Sequence, residues 1–181
     1  MKKMLVLAVA LVVVPALGFA ATTCNPGTYK GSLWSISKDL NGKSGTLMVA
    51  KSGDKCVFNF KTEGSTETWE LAGNTLIQKE YDNSGKATQT YTATLNGDKY
   101  VINCKDKAKN DCDGGVDSRN YWLLNNTSNG YNYTVYGVGT DNKSNPTAPV
   151  AKRHEFTFKM DTATTTPVTT TTPTTTTPVK K

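Results

Sequence analysis

The strongest constraint on this chain is a two-residue alternation of apolar and polar side chains that recurs along its middle. Lys55 to Lys61 places Cys56, Phe58 and Phe60 on one face. Gln89 to Leu95 sets Tyr91, Ala93 and Leu95 against Thr90, Thr92 and Thr94. Tyr100, Ile102 and Cys104 repeat the pattern, as do Tyr131, Tyr133 and Val135, then Phe156, Phe158 and Met160. Successive strand residues point to opposite faces, so each run reads as a strand with one side on a core and one in water. Shorter runs at residues 29–37, 45–51, 67–71, 74–81 and 119–125 complete the set. No stretch beyond residue 20 shows helical periodicity.

Turn residues separate these runs. Asn41-Gly42, Ser52-Gly53-Asp54, Gly73-Asn74, Asn83-Ser84-Gly85, Asn96-Gly97-Asp98 and Asn129-Gly130 are the combinations that tight hairpins favour. Hairpins in succession make an antiparallel meander of nine or ten strands. A meander this long gains by closing on itself, because closure removes unpaired edges. The expected fold is all-β, a closed up-and-down barrel, with a two-sheet β-sandwich as the alternative.

Both chain ends differ from this middle. Lys2 and Lys3, the apolar run from Leu5 to Val14, Pro15, and the small residues Gly18 and Ala20 form the three parts of a bacterial-type secretory signal cleaved after Ala20. The apolar run is shorter than the roughly 20 residues a membrane-spanning helix requires. Ala21-Thr22-Thr23 before Cys24 lacks the pattern that precedes a lipid-modified cysteine. Residues 162–181 are almost wholly Thr and Pro, which bury nothing and read as a disordered tail. A signal at 1–20, one domain at 21–161 and a tail at 162–181 are therefore expected. The product would be periplasmic or secreted, without a transmembrane anchor.

Export gives the cysteines a meaning. Cys24, Cys56, Cys104 and Cys112 form an even set in an oxidising compartment, so two disulfides are expected. Four cysteines allow three pairings. Cys104–Cys112 closes a short loop between strands and leaves Cys24–Cys56 to tie down the N-terminus. Zinc is disfavoured, since C-x-x-C is absent and the chain has 1 histidine. The net charge of +6 is made at the ends: without Lys2, Lys3, Lys180 and Lys181, 17 basic face 15 acidic residues. That balance gives no argument for a nucleic-acid partner.

No cofactor fingerprint and no catalytic triad spacing are found in the sequence. His154, flanked by Lys152, Arg153 and Glu155, reads as an exposed, charge-neighboured histidine. Asp111, Asp113 and Asp117, with Gly114 and Gly115 between them, are a weak calcium candidate. Calcium takes about six to eight oxygens, and neither EF-hand spacing nor a closing Glu is present. Among Glu63, Glu67, Glu70 and Glu80, candidates for glycan hydrolysis by paired carboxyls, Glu70 alternates with Trp69 and Leu71 and should point outward. Nothing in the sequence singles out a pair.

The aromatic residues point toward binding. Phe58, Phe60, Trp69, Tyr91, Tyr100, Tyr121, Tyr133 and Phe156 are expected on inner strand faces, with Trp34 on the first strand. Gly31-Ser32-Leu33-Trp34 resembles, with one more residue of spacing, the Gly-x-Trp of the lipocalins, which are meander barrels. The other lipocalin motifs are absent, so the resemblance is one of architecture. The expected function is a non-enzymatic exported binding protein, taking a small apolar ligand in the barrel or a protein partner on its surface. The alternatives are a surface-exposed structural protein with a Thr/Pro stalk and a carboxylate-dependent glycan-acting enzyme.

Overall fold

The computed structural model describes residues 22–63, 65–139 and 145–162. The expected signal at 1–20, and all but the first residue of the expected tail at 162–181, lie outside the described residues.

Seven hairpin-connected strands come first: β1 (Gly27–Ser35), β2 (Ser44–Ser52), β3 (Lys55–Thr62), β4 (Ser65–Ala72), β5 (Thr75–Tyr81), β6 (Ala87–Asn96) and β7 (Lys99–Ile102). A small separate hairpin follows, β8 (Cys104–Asp106) and β9 (Asp111–Cys112), then a 3-10 turn over Asp113–Gly115. β10 (Tyr121–Thr127), β11 (Gly130–Gly137) and β12 (Ala151–Met160) complete the set. Ten strands pair antiparallel in the order β1-β12-β11-β10-β7-β6-β5-β4-β3-β2, and β2 returns to β1. The fold is thus the closed up-and-down barrel, and the β-sandwich does not form. Among the described residues no helix is long and apolar enough to cross a membrane.

Inward residues form continuous rows across the strands. One row runs Val49, Phe58, Trp69, Gln78 and Tyr91 through successive partners. The adjacent row runs Tyr29, Leu47, Phe60, Glu67 and Glu80. The interior is densely aromatic, with Trp69 fully buried and stacked on Tyr133 at 4.2 Å between ring centroids. Phe58 meets Tyr131 edge-on at 5.3 Å, and Phe60 meets Phe156 at 4.6 Å. Offset and edge-to-face contacts of this kind add to what burial alone contributes.

Both expected disulfides are present: Cys24–Cys56 spans 32 residues and Cys104–Cys112 spans 8. Two bridges fit an oxidising, extracellular or periplasmic compartment. Cys104 departs from the expected alternation, because β7 ends at Ile102 and Asn103 bonds back to Thr92 before the chain enters β8. Gly130 also serves otherwise than expected. Its value lies in close approach, since a Cβ there would collide with the Phe158 carbonyl across the β11–β12 pair.

Candidate ligand site

The two ends of the barrel are finished differently. At one end the segment 22–26 crosses the opening and is fixed by polar contacts. Tyr29 and Tyr131, both fully buried, bring two hydroxyls there. Tyr29 donates to the Asn25 carbonyl (2.8 Å), and Tyr131 donates to the Thr23 carbonyl (3.0 Å) while accepting from Asn25 N–H (2.7 Å). Thr22 donates to the Leu124 carbonyl at 2.7 Å. The Asn126 side chain accepts from Thr23 N–H and donates to its carbonyl. Cys24–Cys56 staples the segment to β3. Buried tyrosine hydroxyls need partners, and here the chain's own N-terminal backbone supplies them.

At the other end a cavity of about 330 Å³ opens among the residues flanking the β3–β4 turn, the ends of β1 and β5, the inner face of β6 and the start of β12. That volume lies at the low end of the range for small-molecule sites, about 300–1,000 Å³. Leu33, Phe60, Tyr91, Trp122, Tyr133 and Phe156 give it largely apolar and aromatic walls. Val116 adds one more wall from the loop that follows β9. Asp113 holds this loop to β6 by accepting from Thr92 N–H at 3.2 Å, and Gly114 lies so close to the Tyr91 ring that a Cβ would overlap it. The Cys104–Cys112 hairpin therefore presents one side of the mouth.

Polar groups concentrate on β4 and β5. Glu67 lies two residues from Trp69, and Glu80 two from Gln78, so strand parity turns both carboxylates inward beside Phe60. The two glutamates are direct cross-strand partners and both line the cavity. Trp69 Nε1 (3.1 Å) and Gln78 Nε2 (2.9 Å) donate to the same oxygen, Glu67 Oε2. Tyr133 donates to Gln78 Oε1 at 2.9 Å, which fixes the amide with its nitrogen toward Glu67. Enclosure by protein raises the Glu67 pKa from 4.5 to about 7; the two donors oppose the rise and the charge of Glu80 adds to it. Glu80 is raised by burial against a lowering hydrogen bond from Tyr91. The one Tyr91 hydroxyl proton is shared between Glu80 and Gln89 at the rim.

His154 is half-buried at this rim, which corrects the expectation of an exposed side chain. Its Nδ1 shares a 2.9 Å hydrogen bond with Ser35 Oγ, which also accepts from Ser37 N–H. Burial first and Arg153 second lower its pKa, favouring the neutral ring.

The expected aromatic set divides. Phe60, Tyr91, Tyr133 and Phe156 line the cavity, whereas Phe58, Trp69 and Tyr100 are packed in the solid part of the core. Trp34 and Tyr121 face outward, a correction with one cause in both cases. Leu33-Trp34 and Tyr121-Trp122 are adjacent apolar pairs, and only one member of such a pair can face the core. The inward members are Leu33 and Trp122. Trp34 is 43% exposed with Lys152 over its ring, and Tyr121 stacks on Tyr136 at 4.8 Å.

The aspartates of the calcium candidate serve separate structural roles. Asp111 is exposed in β9, Asp113 bonds β6, and Asp117 is 2% exposed and holds the Arg119 guanidinium at 2.8 Å. Arg119 in turn donates to the carbonyls of Asn145, Pro146 and Ala148. Among the described residues no three His, Cys, Asp or Glu side chains are grouped to hold a metal.

Parity with Trp69 and Leu76 could have placed Glu67 and Glu80 inside from sequence alone. Their charge argued the other way, as it correctly does for Glu70, which is paired outside with Lys55 (3.4 Å) and Lys79 (3.6 Å). Compared with protein-family models, curated proteins and solved structures, the chain matches none.

Proposed function

We propose that this protein is an exported, non-enzymatic binding protein that holds a small, largely apolar ligand in the open mouth of its barrel. The observation that supports this reading is the asymmetry of the ends. One is plugged by the chain and stapled, and the other is a concave, aromatic-walled cavity with a few convergent polar groups. The reverse polarity, an apolar outside around a polar lumen, is what a membrane-spanning barrel has. Here Thr66, Thr88, Thr90 and Lys55 lie on the exposed side and the apolar rings inside.

The test is displacement of an environment-sensitive apolar fluorophore from the oxidised protein, alongside a Val135→Trp variant. Val135 lines the cavity and is only partly buried, so the larger ring fills the mouth. Binding by the parent protein that the variant loses, with its fold intact by circular dichroism, is expected. A probe that binds neither protein, or both equally, refutes a ligand site in the mouth.

The Glu67–Glu80 pair supports a second reading, a carboxylate-dependent glycan-acting enzyme, because such enzymes pair a protonated and an ionised carboxyl. Hydrolysis of aryl glycosides that is abolished by both Glu67→Gln and Glu80→Gln would favour it over binding alone.

A further inference from the structure

The same cavity, taken as a ligand site, also indicates the charge of its ligand. We propose that the mouth of the barrel is built for a small organic cation, an amine or quaternary ammonium compound, with its charge against Glu67 and Glu80 and its carbon skeleton against the aromatic walls. This rests on the binding reading above and specifies its ligand class.

Three observations converge. Several buried or partly buried acids outside the cavity have cationic partners: Glu70 has Lys55 and Lys79, Asp117 has Arg119, Glu155 has Lys152, and Asp161 has Lys30. Among the described residues no salt bridge reaches Glu67 or Glu80, which are cross-strand neighbours inside the barrel. Two like-charged groups in an apolar enclosure without a counterion are costly unless a proton or a cation joins them.

The second observation is what surrounds the pair. Among the described residues no Lys or Arg lines the cavity, and His154 is the basic group there, held toward its neutral form. An anionic ligand would meet two carboxyls with no cation to offset them among the described lining residues. The Trp69 and Gln78 donors are neutral, so they orient Glu67 for the ionised form without neutralising it. The third is the walls: Tyr91 and Trp122 present rings whose faces attract a cation within about 6 Å of their centroids.

The titratable groups whose charge couples to Glu67 are Glu80 from β5, Tyr91 from β6 and Tyr133 from β11, and His154 from β12 lines the same cavity. Neither tyrosine ionises near neutrality, since burial raises both. A bound cation favours the ionised pair, so binding releases a proton and strengthens as pH rises through about 7, where Glu67 titrates.

The experiment compares benzyltrimethylammonium with its uncharged carbon isostere neopentylbenzene and with benzoate, on the oxidised full chain at pH 6 and pH 8. NMR titration reads affinity, and calorimetry in two buffers of different ionisation enthalpy reads proton release. The cation is expected to bind at least tenfold more tightly than the isostere at pH 8, with proton release at pH 6 to 7. Glu67→Gln and Glu80→Gln should each bring the cation's affinity down toward that of the isostere measured on the same variant. An isostere or benzoate that binds as tightly as the cation overturns the charge preference and leaves a ligand site standing. Failure of all three to bind counts against both.

Discussion

Replacing Glu67 by Gln keeps the shape of the side chain and its acceptor for Trp69 or Gln78, and removes the titration. In the folded protein this carboxyl holds its proton up to a pKa of about 7, against 4.5 for the ordinary side chain. A group whose folded pKa is raised stabilises fully below the unfolded value, and that contribution is lost as pH rises through the folded one. The window is therefore pH 4.5 to about 7. At about 1.4 kcal/mol per pH unit the full difference is about 3 kcal/mol, and water reaching the carboxyl through the mouth screens it toward about 2. For a domain of this size that corresponds to about 10 °C in Tm.

Other groups titrate nearby, so the absolute curve is not diagnostic. His154, whose folded pKa is lowered, has the opposite sign: its contribution is lost as pH falls toward and below its unfolded value. The difference between parent and Glu67→Gln isolates this carboxyl together with its coupling to Glu80, since His154 is present in both. Urea unfolding of the two oxidised proteins from pH 4 to pH 8.5 should give near-equal stabilities at the acid end. The variant should be more stable by about 2–3 kcal/mol above pH 7.5. A difference that stays flat across this range would show that Glu67 is not enclosed as the structure has it, and would remove the reason for its neutral form.

Removing the 32-residue bridge with Cys24→Ser and Cys56→Ser should cost about 3–4 kcal/mol by chain entropy, read by urea unfolding, with faster amide exchange at residues 22–26. Asp117→Asn removes the buried counter-charge of the Arg119 guanidinium and should lower stability, measured the same way. Trp34→Ala should change stability by less than about 1 kcal/mol and leave probe binding in the mouth intact, because Trp34 lies outside the barrel. Gly31→Ala should lower Tm strongly, since its Cβ would collide with the Thr157 carbonyl across the β1–β12 seam that closes the barrel.

The barrel was legible because period-two alternation and hairpin turns are local signals, each complete within about ten residues. The disulfide pairs were legible through loop length and the place of Cys104 and Cys112 around one turn. Legibility failed where alternation is degenerate. Gly31-Ser32-Leu33-Trp34 and Tyr121-Trp122-Leu123-Leu124 each offer two apolar registers, and the neighbouring strands choose between them. Trp122 faces inward because its partner Tyr100 does. The site failed for a different reason. Four of its aromatic residues were in the expected set, but nothing local distinguishes a ring that lines a cavity from one packed solid.

What distinguishes them is the treatment of polar groups at the two ends. Both ends of this aromatic core contain side chains that need a partner: Tyr29 and Tyr131 at one, Glu67 and Glu80 at the other. At the first, residues 22–26 bring backbone carbonyls and an N–H into the opening, and a disulfide keeps them there. At the second, the loop after β9 adds Val116 and Asn120 to the wall, and among the described residues no segment fills the cavity. Glu67 is met from below by Trp69 and Gln78, neutral donors on one oxygen. A chain selected only for a closed core could have set Leu at positions 67 and 80, as it did at 71 and 76 two inward rows away. Two carboxyls held instead at the open end leave a requirement for positive charge that a proton meets at low pH and a bound cation would meet at higher pH.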